Sequence, residues 1–428
     1  MKYQPISKKL FENNRANFNK QVVTKSLSVF CSNDQMPTNA DGTMPFKQNS
    51  DLFWLSGVDQ EESKLILFPD CSNPNHREVL FLKETNDLIA IWEGEKLSKD
   101  KAFETSGVKT VYWNSQFESI FKELMEEATS VYLNSNEHAR ATSEVQTQTD
   151  RFNQWCKAEF SDKEYLKSAP IMYDLRAVKH QIEIDLLQHA CNITEKGFRR
   201  VLNFVKPGVM EYEIEAEFMH EFLINRSKGF AYEPIIASGR NACVLHYIDN
   251  NKTCKDGDVI LMDVGAEYAN YASDMTRCIP VSGRFTPRQK DVYNAVLRVM
   301  KEATSMLRPG VMLSEYHKEV GLVIQSELLG LGLIDQHDID KQDPKNPAYR
   351  KYFMHGTSHF LGLDVHDVGH FDIPIKEGMV FTCEPGIYIL EENLGIRLEN
   401  DLVITKDKPF DLMGNIPLEA NDIEDLMS

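Results

Sequence analysis

Over the first ~155 residues, short apolar runs alternate with amphipathic stretches. Ser28-Val-Phe, Lys64-Leu-Ile-Leu-Phe, Val79-Leu-Phe-Leu and Thr110-Val-Tyr-Trp read as strands, because β-branched and aromatic residues cluster between polar breaks. Phe117–Glu127 reads as a helix. This rhythm predicts an α/β domain, a mixed sheet flanked by helices. From Thr147 to Ser168 the chain turns polar, so the domains are drawn at 1–168 and 169–428. A long helix is expected to begin near Lys179, since Ile182, Leu186, Leu187, Ala190 and Ile193 recur at helical spacing.

The second part carries an internal echo. Lys206-Pro-Gly-Val-Met and Arg308-Pro-Gly-Val-Met lie 102 residues apart, each after an amphipathic stretch of similar length. Pro-Gly after a helix is a common stop signal. Two copies with matching upstream helices point to a duplication, the first half supplying aspartates and the second glutamates.

Asp258-Val-Ile-Leu-Met-Asp-Val reads as a buried strand and Asn270–Val281 as its returning partner, so Asp263 and Asp274 are expected nearly opposite each other. Glu384 and Glu399 repeat the arrangement around the acidic turn Glu391-Glu392-Asn393. A lone carboxylate in an apolar run is costly to bury unless it is paired or on a metal. Two inward carboxylate pairs are therefore read as a cage for two divalent cations. Hard oxygen ligands with one imidazole suit Mn, Co, Fe or Zn. Two such ions ~3.5–4 Å apart can activate a water and polarise a carbonyl.

Three imidazoles, His355, His359 and His366, crowd the segment HGTSHFLGLDVHDVG. One can bind metal while others donate to charge developing on a tetrahedral intermediate. His246, in Val-Leu-His-Tyr, is read either as a substrate contact or as a core histidine.

Composition narrows the alternatives. The 428 residues carry a formal charge of −18, which argues against a nucleic-acid or anionic-membrane partner. No run approaches the ~20 apolar residues of a membrane-spanning helix, and MKYQPISKKLFENN lacks a signal-peptide apolar core. A cytoplasmic protein is expected. The eight cysteines show no CxxC pair and are read as reduced, mostly buried thiols.

Taken together, SGRNACVLHY, DVGAEYANYASDMTR, HGTSHFLGLDVHDVG, EPGIY and GIRLEND resemble, in order and in residue type, the pita-bread metallopeptidases of the Xaa-Pro aminopeptidase (aminopeptidase P) and prolidase branch. PFKQNSDLFWLSG and IWEGEKL are similar to motifs of that family's N-terminal, creatinase-type domain, and DLRAVKHQIEID to the entry of its catalytic domain. The likeness spans nearly the whole chain. It implies an α+β pita-bread catalytic domain with a pseudo-twofold internal duplication behind the α/β domain.

The resemblance also implies roles. Asp263 chelates one metal, Asp274 and Glu399 bridge both, and His359 with Glu384 completes the second. A hydroxide between the metals attacks the scissile carbonyl, with Glu384 as proton shuttle. His246, His355 and His366 bind substrate and intermediate, while Arg397 and Tyr232 orient the site. Manganese is expected, with Co, Zn, Fe or Mg as alternatives. The implied reaction removes an N-terminal residue preceding proline, in a homodimer or homotetramer where Trp92 reaches a neighbouring subunit's cleft. A dipeptide-restricted prolidase is the competing reading, and an inactive peptide-binding module a remote one, since all five ligand positions are filled. Two departures from the pattern stand out: the segment between EPGIY and GIRLEND is short, and Asn400 stands where an acid is frequent.

Overall fold

The structure, a computed structural model, describes residues 2–428. The chain divides into two compact units, Tyr3–Arg176 and Ala177–Ser428.

The first unit is built on six strands, β1 (Ser26–Cys31), β2 (Lys64–Leu67), β3 (Glu78–Leu82), β4 (Thr110–Trp113), β5 (Ser130–Leu133) and β6 (Glu164–Lys167). They lie in the order β4-β3-β2-β1-β5-β6. β2 pairs antiparallel with both β1 and β3, whereas β3–β4, β1–β5 and β5–β6 are parallel. The sheet is therefore mixed, as the alternating pattern predicts. Central β1 is buried along its whole length, the signature of a strand covered on both faces. The helix Phe117–Glu127 turns Phe117, Phe121, Leu124 and Met125 inward, onto a core that includes Val29, Ile66, Phe81 and Val131.

The second unit opens with a packed helix pair, α1 (Gln181–Phe204) and α2 (Glu211–Ile224). His180 and Glu183 form a capping box that fixes where α1 begins. Five strands follow: β7 (Ile235–Ser238), β8 (Val259–Val264), β9 (Glu267–Tyr268), β10 (Tyr271–Ala272) and β11 (Met275–Pro280). A second packed pair, α3 (Pro287–Met306) and α4 (Leu313–Gly330), then leads to β12 (Val380–Cys383), β13 (Gly386–Ile389), β14 (Leu394–Arg397), β15 (Asn400–Val403) and β16 (Phe410–Asp411).

The Pro-Gly echo marks a real structural repeat. Gly208 and Gly310 both adopt left-handed φ, 97° and 89°, a conformation that favours glycine. Each then donates its N–H to the segment before the next strand pair: Gly208 to Cys254 O and Gly310 to Ile375 O, both at 2.9 Å. Met210 bridges to Thr253 in the first half, and Met312 to Pro374 in the second. Each half thus runs helix, Pro-Gly turn, helix, then a hairpin that bears acids. Among the described residues no helix is long and apolar enough to cross a membrane, and all eight cysteines are free thiols, seven of them buried.

Candidate metal centre

The first acid pair sits on a hairpin closed by Ala269 and Asn270, both with positive φ (53° and 67°), a two-residue turn whose twist suits antiparallel strands. β8 and β11 pair Asp263 with Thr276 and Val264 with Met275. Continuing that register sets Asp274 against Gly265, so the two aspartates lie diagonally across the ladder, two residues along the strand from the directly opposite placement. The diagonal still brings their carboxylates together, because Tyr232 OH lies 2.6 Å from Asp263 Oδ1 and 2.6 Å from Asp274 Oδ1.

The second pair matches its expectation more closely. β12–β15 pairs Cys383 with Asn400, and β13–β14 pairs Gly386 with Arg397. One register runs through both ladders and sets Glu384 opposite Glu399. The turn between β13 and β14 is tight, with Asn393 left-handed at φ 51°. The two hairpins are stitched together at the site: Glu399 N donates to Thr276 O at 3.1 Å, and Thr276 Oγ1 donates to Glu399 Oε2 at 2.6 Å.

His359 arrives from the loop before β12. Its peptide is fixed by Thr382, which donates its N–H to His359 O. Its Nδ1 bonds to Phe360 O at 3.0 Å, an acceptor, so Nδ1 carries the hydrogen and Nε2 faces the acids. Nε2 lies 3.5 Å from Asp274 Oδ2 and 3.6 Å from Glu384 Oε1. One ligand atom each from Asp274, His359 and Glu399 falls within 4.8 Å of the others. Asp263 and Glu384 flank that trio.

Electrostatics test whether this donor set fits divalent cations. Four carboxylates converge in a buried place where Arg397 is a cation, and its guanidinium is committed to Asp263 Oδ2 at 2.5 Å. Burial, then the neighbouring Asp274, Glu384 and Asp263 charges, push the Glu399 carboxyl well above its ordinary range. Burial likewise lifts Glu384 to about 7, although His359 and Arg397 pull the other way. Burial would lower His359, but Asp274 and Glu384 outweigh it and raise the imidazole to about 9. Left to itself, such a cluster relieves repulsion only by binding protons. Tyr232 makes the same point: it has one proton for two carboxylates. Divalent cations replace those protons, so the residues fit the metals that their types suggest.

A second layer connects the acids to His355. Arg397 donates from Nη1 to Tyr388 OH (2.9 Å) and from Nε to Thr276 Oγ1 (3.0 Å). Tyr388 OH lies 2.7 Å from His355 Nε2, and His355 Nδ1 lies 2.8 Å from Gly356 O. Because Gly356 O only accepts, Nδ1 donates, and Nε2 therefore accepts from Tyr388. Burial first, then the Arg397 charge, lowers His355 to about 3, so the ring is neutral. Replacing Tyr388 by Phe removes the hydroxyl that links Arg397 to His355. We expect kcat to fall ~10-fold, the worth of one such bond, with metal content unchanged. Steady-state kinetics beside metal analysis check this, and unchanged kcat would show the link to be idle.

The remaining imidazoles lie farther out. His366 is exposed, and its ring meets His359 edge-on at 4.4 Å between centroids. His246 is exposed in the turn after the 3-10 segment Gly239–Cys243; it is not a core histidine. Cys383, beside Glu384, is buried, and burial pushes its thiol to about 12, which makes it an inert packing group. Asn400 accepts from the buried Arg277 and donates to Asp411, both at 2.7 Å. It thereby mediates between a cation and an acid.

Sequence reading overlooks Thr276, Tyr388 and Asp401, whose Oδ2 accepts the Asp274 N–H at 3.0 Å. One signal was available for the strands themselves. Lys255-Asp-Gly-Asp-Val…Asp263-Val-Gly265 and Lys376-Glu-Gly-Met-Val…Glu384-Pro-Gly386 share the pattern Lys, acid, Gly, x, Val, three residues, acid, x, Gly, at an offset of 121. This repeat equates Asp263 with Glu384.

Comparison with known proteins agrees with this architecture. Residues 185–406 match the model of metallopeptidase family M24, and residues 11–132 match that of the aminopeptidase P N-terminal domain. The chain is 33% identical to the Xaa-Pro aminopeptidase of Escherichia coli (strain K12), covering 99% of this chain and 98% of that one. It is 31% identical to Homo sapiens Xaa-Pro aminopeptidase 3, over 95% of this chain and 82% of that one. Zn-substituted E. coli aminopeptidase P in complex with product superimposes with a TM-score of 0.90 at 31% identity, covering 99% of each chain. The chain belongs to metallopeptidase family M24. Within that class it is a metallo-aminopeptidase with the two-domain fold of aminopeptidase P.

Proposed function

We propose that this enzyme is an Xaa-Pro aminopeptidase, removing the N-terminal residue from peptides with proline at position two. The observation that carries this reading is the meeting of Asp274, His359 and Glu399 at one point, flanked by Asp263 and Glu384, in a chain similar to Xaa-Pro aminopeptidases over nearly its full length.

Asp263, Asp274, His359, Glu384 and Glu399 would hold two divalent ions, with manganese the metal we favour. Bound there, the ions would supply an activated water and polarise the scissile carbonyl. Glu384 would carry a proton from the nucleophile to the leaving nitrogen, a role that its oxygens' 3.6 Å and 3.7 Å distances from His359 and His355 support. Arg397 and Tyr232 hold Asp263 and Asp274 in place. His355, His366 and His246 would line the substrate side. Since His355 Nε2 accepts from Tyr388, the hydrogen that this ring would offer to substrate is its Nδ1–H, which here goes to Gly356 O.

Proline at the second position suits such a site. A Xaa-Pro bond is a tertiary amide with fixed φ and no N–H, so recognition cannot depend on a donor there. We further propose a cytoplasmic homodimer or homotetramer, with no nucleic-acid or membrane partner. The helix Asp87–Glu93 supports association, since it buries none of its residues and exposes Ile91 (77%) and Trp92 (81%).

Substrate length tests the reading. We expect an Xaa-Pro-Xaa tripeptide to be cleaved at least ~10-fold more efficiently than the matching Xaa-Pro dipeptide, a difference of about 1.4 kcal/mol in transition-state binding. Preference for the dipeptide would make the enzyme a prolidase, and no turnover of either with added manganese would return it to a binding role.

A further inference from the structure

A buried ion pair outside the ligand cluster has no part in the chemistry above. Lys179 Nζ lies 2.8 Å from Asp367 Oδ2, with 1% and 2% of the two side chains exposed. Buried pairs of this kind contribute little net stability, because desolvation offsets most of the attraction. Their better-attested use is to specify one arrangement of the chain around them.

The surroundings show what is being specified. Asp367 N donates to Phe360 O at 2.9 Å and so closes the loop 360–367 on itself. Gly362 leaves space for the pair: a Cβ there would stand 2.1 Å from Asp367 Oδ2 and 3.0 Å from Lys179 Cε. The lysine end is equally fixed. Lys179 N donates to Gly378 O at 2.9 Å, and Val178 bridges to Met379, just before β12, the strand that leads to Glu384. Leu361 N donates to Val380 O at 3.1 Å, tying the loop to the same strand. The residue beside Asp367 is His366, whose ring stands edge-on to His359.

We propose that the Lys179–Asp367 pair is a positioning device that sets the loop 360–367 so that His366 is presented to substrate beside His359. The inference rests on the substrate-side role given to His366 above. The pair fixes Asp367, the residue next to the imidazole, and includes none of the metal ligands. Its loss therefore shows in substrate turnover and leaves metal content intact.

A double-mutant cycle tests this on the full-length, manganese-loaded enzyme with a Xaa-Pro-Xaa peptide. His366→Ala, Asp367→Asn and the combined variant are compared for kcat/KM, bound metal and melting temperature. The neutral pair Lys179→Gln/Asp367→Asn, which removes both charges together, goes through the same cycle and covers the case where Asp367→Asn does not fold. We expect His366→Ala to lose ~30-fold or more in kcat/KM. Asp367→Asn, or the neutral pair in its place, should lose ~10-fold or more in the parent and less than ~2-fold in the His366→Ala background, with full metal content throughout. Energies that couple in this way mark two residues acting as one unit. Additive losses, or a lowered melting temperature with unchanged kinetics, would overturn the positioning role and leave the reading of His366 standing. A fully active His366→Ala enzyme would overturn both.

Discussion

Asp274→Ala should lose at least ~10³-fold in kcat/KM, about 4 kcal/mol of transition-state stabilisation, and at least one bound ion per chain. The expectation follows from position. Asp274 contributes to the trio of convergent ligand atoms, shares Tyr232 with Asp263 and faces His359 Nε2. No other acid can replace it, because Asp263 is held by Arg397 and Asp401 by the Asp274 backbone and Cys191. The protein should nevertheless stay folded. The Asp274 backbone N–H keeps its bond to Asp401, and removing one carboxylate relieves repulsion among the acids that remain. Metal analysis, circular dichroism and turnover on one sample decide the matter. Retained activity in a folded protein that has lost an ion would be a serious contradiction.

Gly265→Ala should be nearly as damaging, through the fold. A Cβ at Gly265 would lie 1.7 Å from Ser273 O and 2.6 Å from Ser273 C, with Tyr232 Cε1 at 3.1 Å. Backbone cannot rotate away as a flexible side chain could, so the hairpin must open at the point where it carries Asp263 on one strand and Asp274 on the other. Overpacking against immovable atoms costs several kcal/mol. We expect a marked fall in melting temperature and loss of activity together. A variant with the parent's stability and kcat would mean that the two strands approach less closely than described.

How much of this was legible beforehand depends on the kind of signal. Asp263 and Asp274 were visible because an acid breaking an apolar strand is costly and demands a partner. The length of the returning strand located that partner, although the diagonal offset follows from a register that turns at Ala269-Asn270. Glu384 and Glu399 were visible for the same reason, and one unbroken register pairs them. The helix starting near Lys179 was legible from spacing, its first residue being Gln181. Thr276, Tyr388 and Asp401 were not legible. Their roles come from hydrogen bonds between different strands and loops, which leave no periodic trace along the chain. The repeat of the ligand strands escaped for another reason: helices and strands repeat at different offsets, 102 and 121, so a search at one period finds only the helices. The neutral state of His355 was hidden as well, since it depends on burial and on Arg397.

All of these expectations descend from one claim, that the two acid hairpins and His359 enclose a pair of cations. X-ray absorption on the manganese-reconstituted enzyme, alongside metal content per chain, tests that claim most directly. Two ions per chain are expected, with a metal–metal vector of ~3.5–4 Å and activity that rises with occupancy of the pair. A single ion with full activity, or two ions with no such vector, would contradict it.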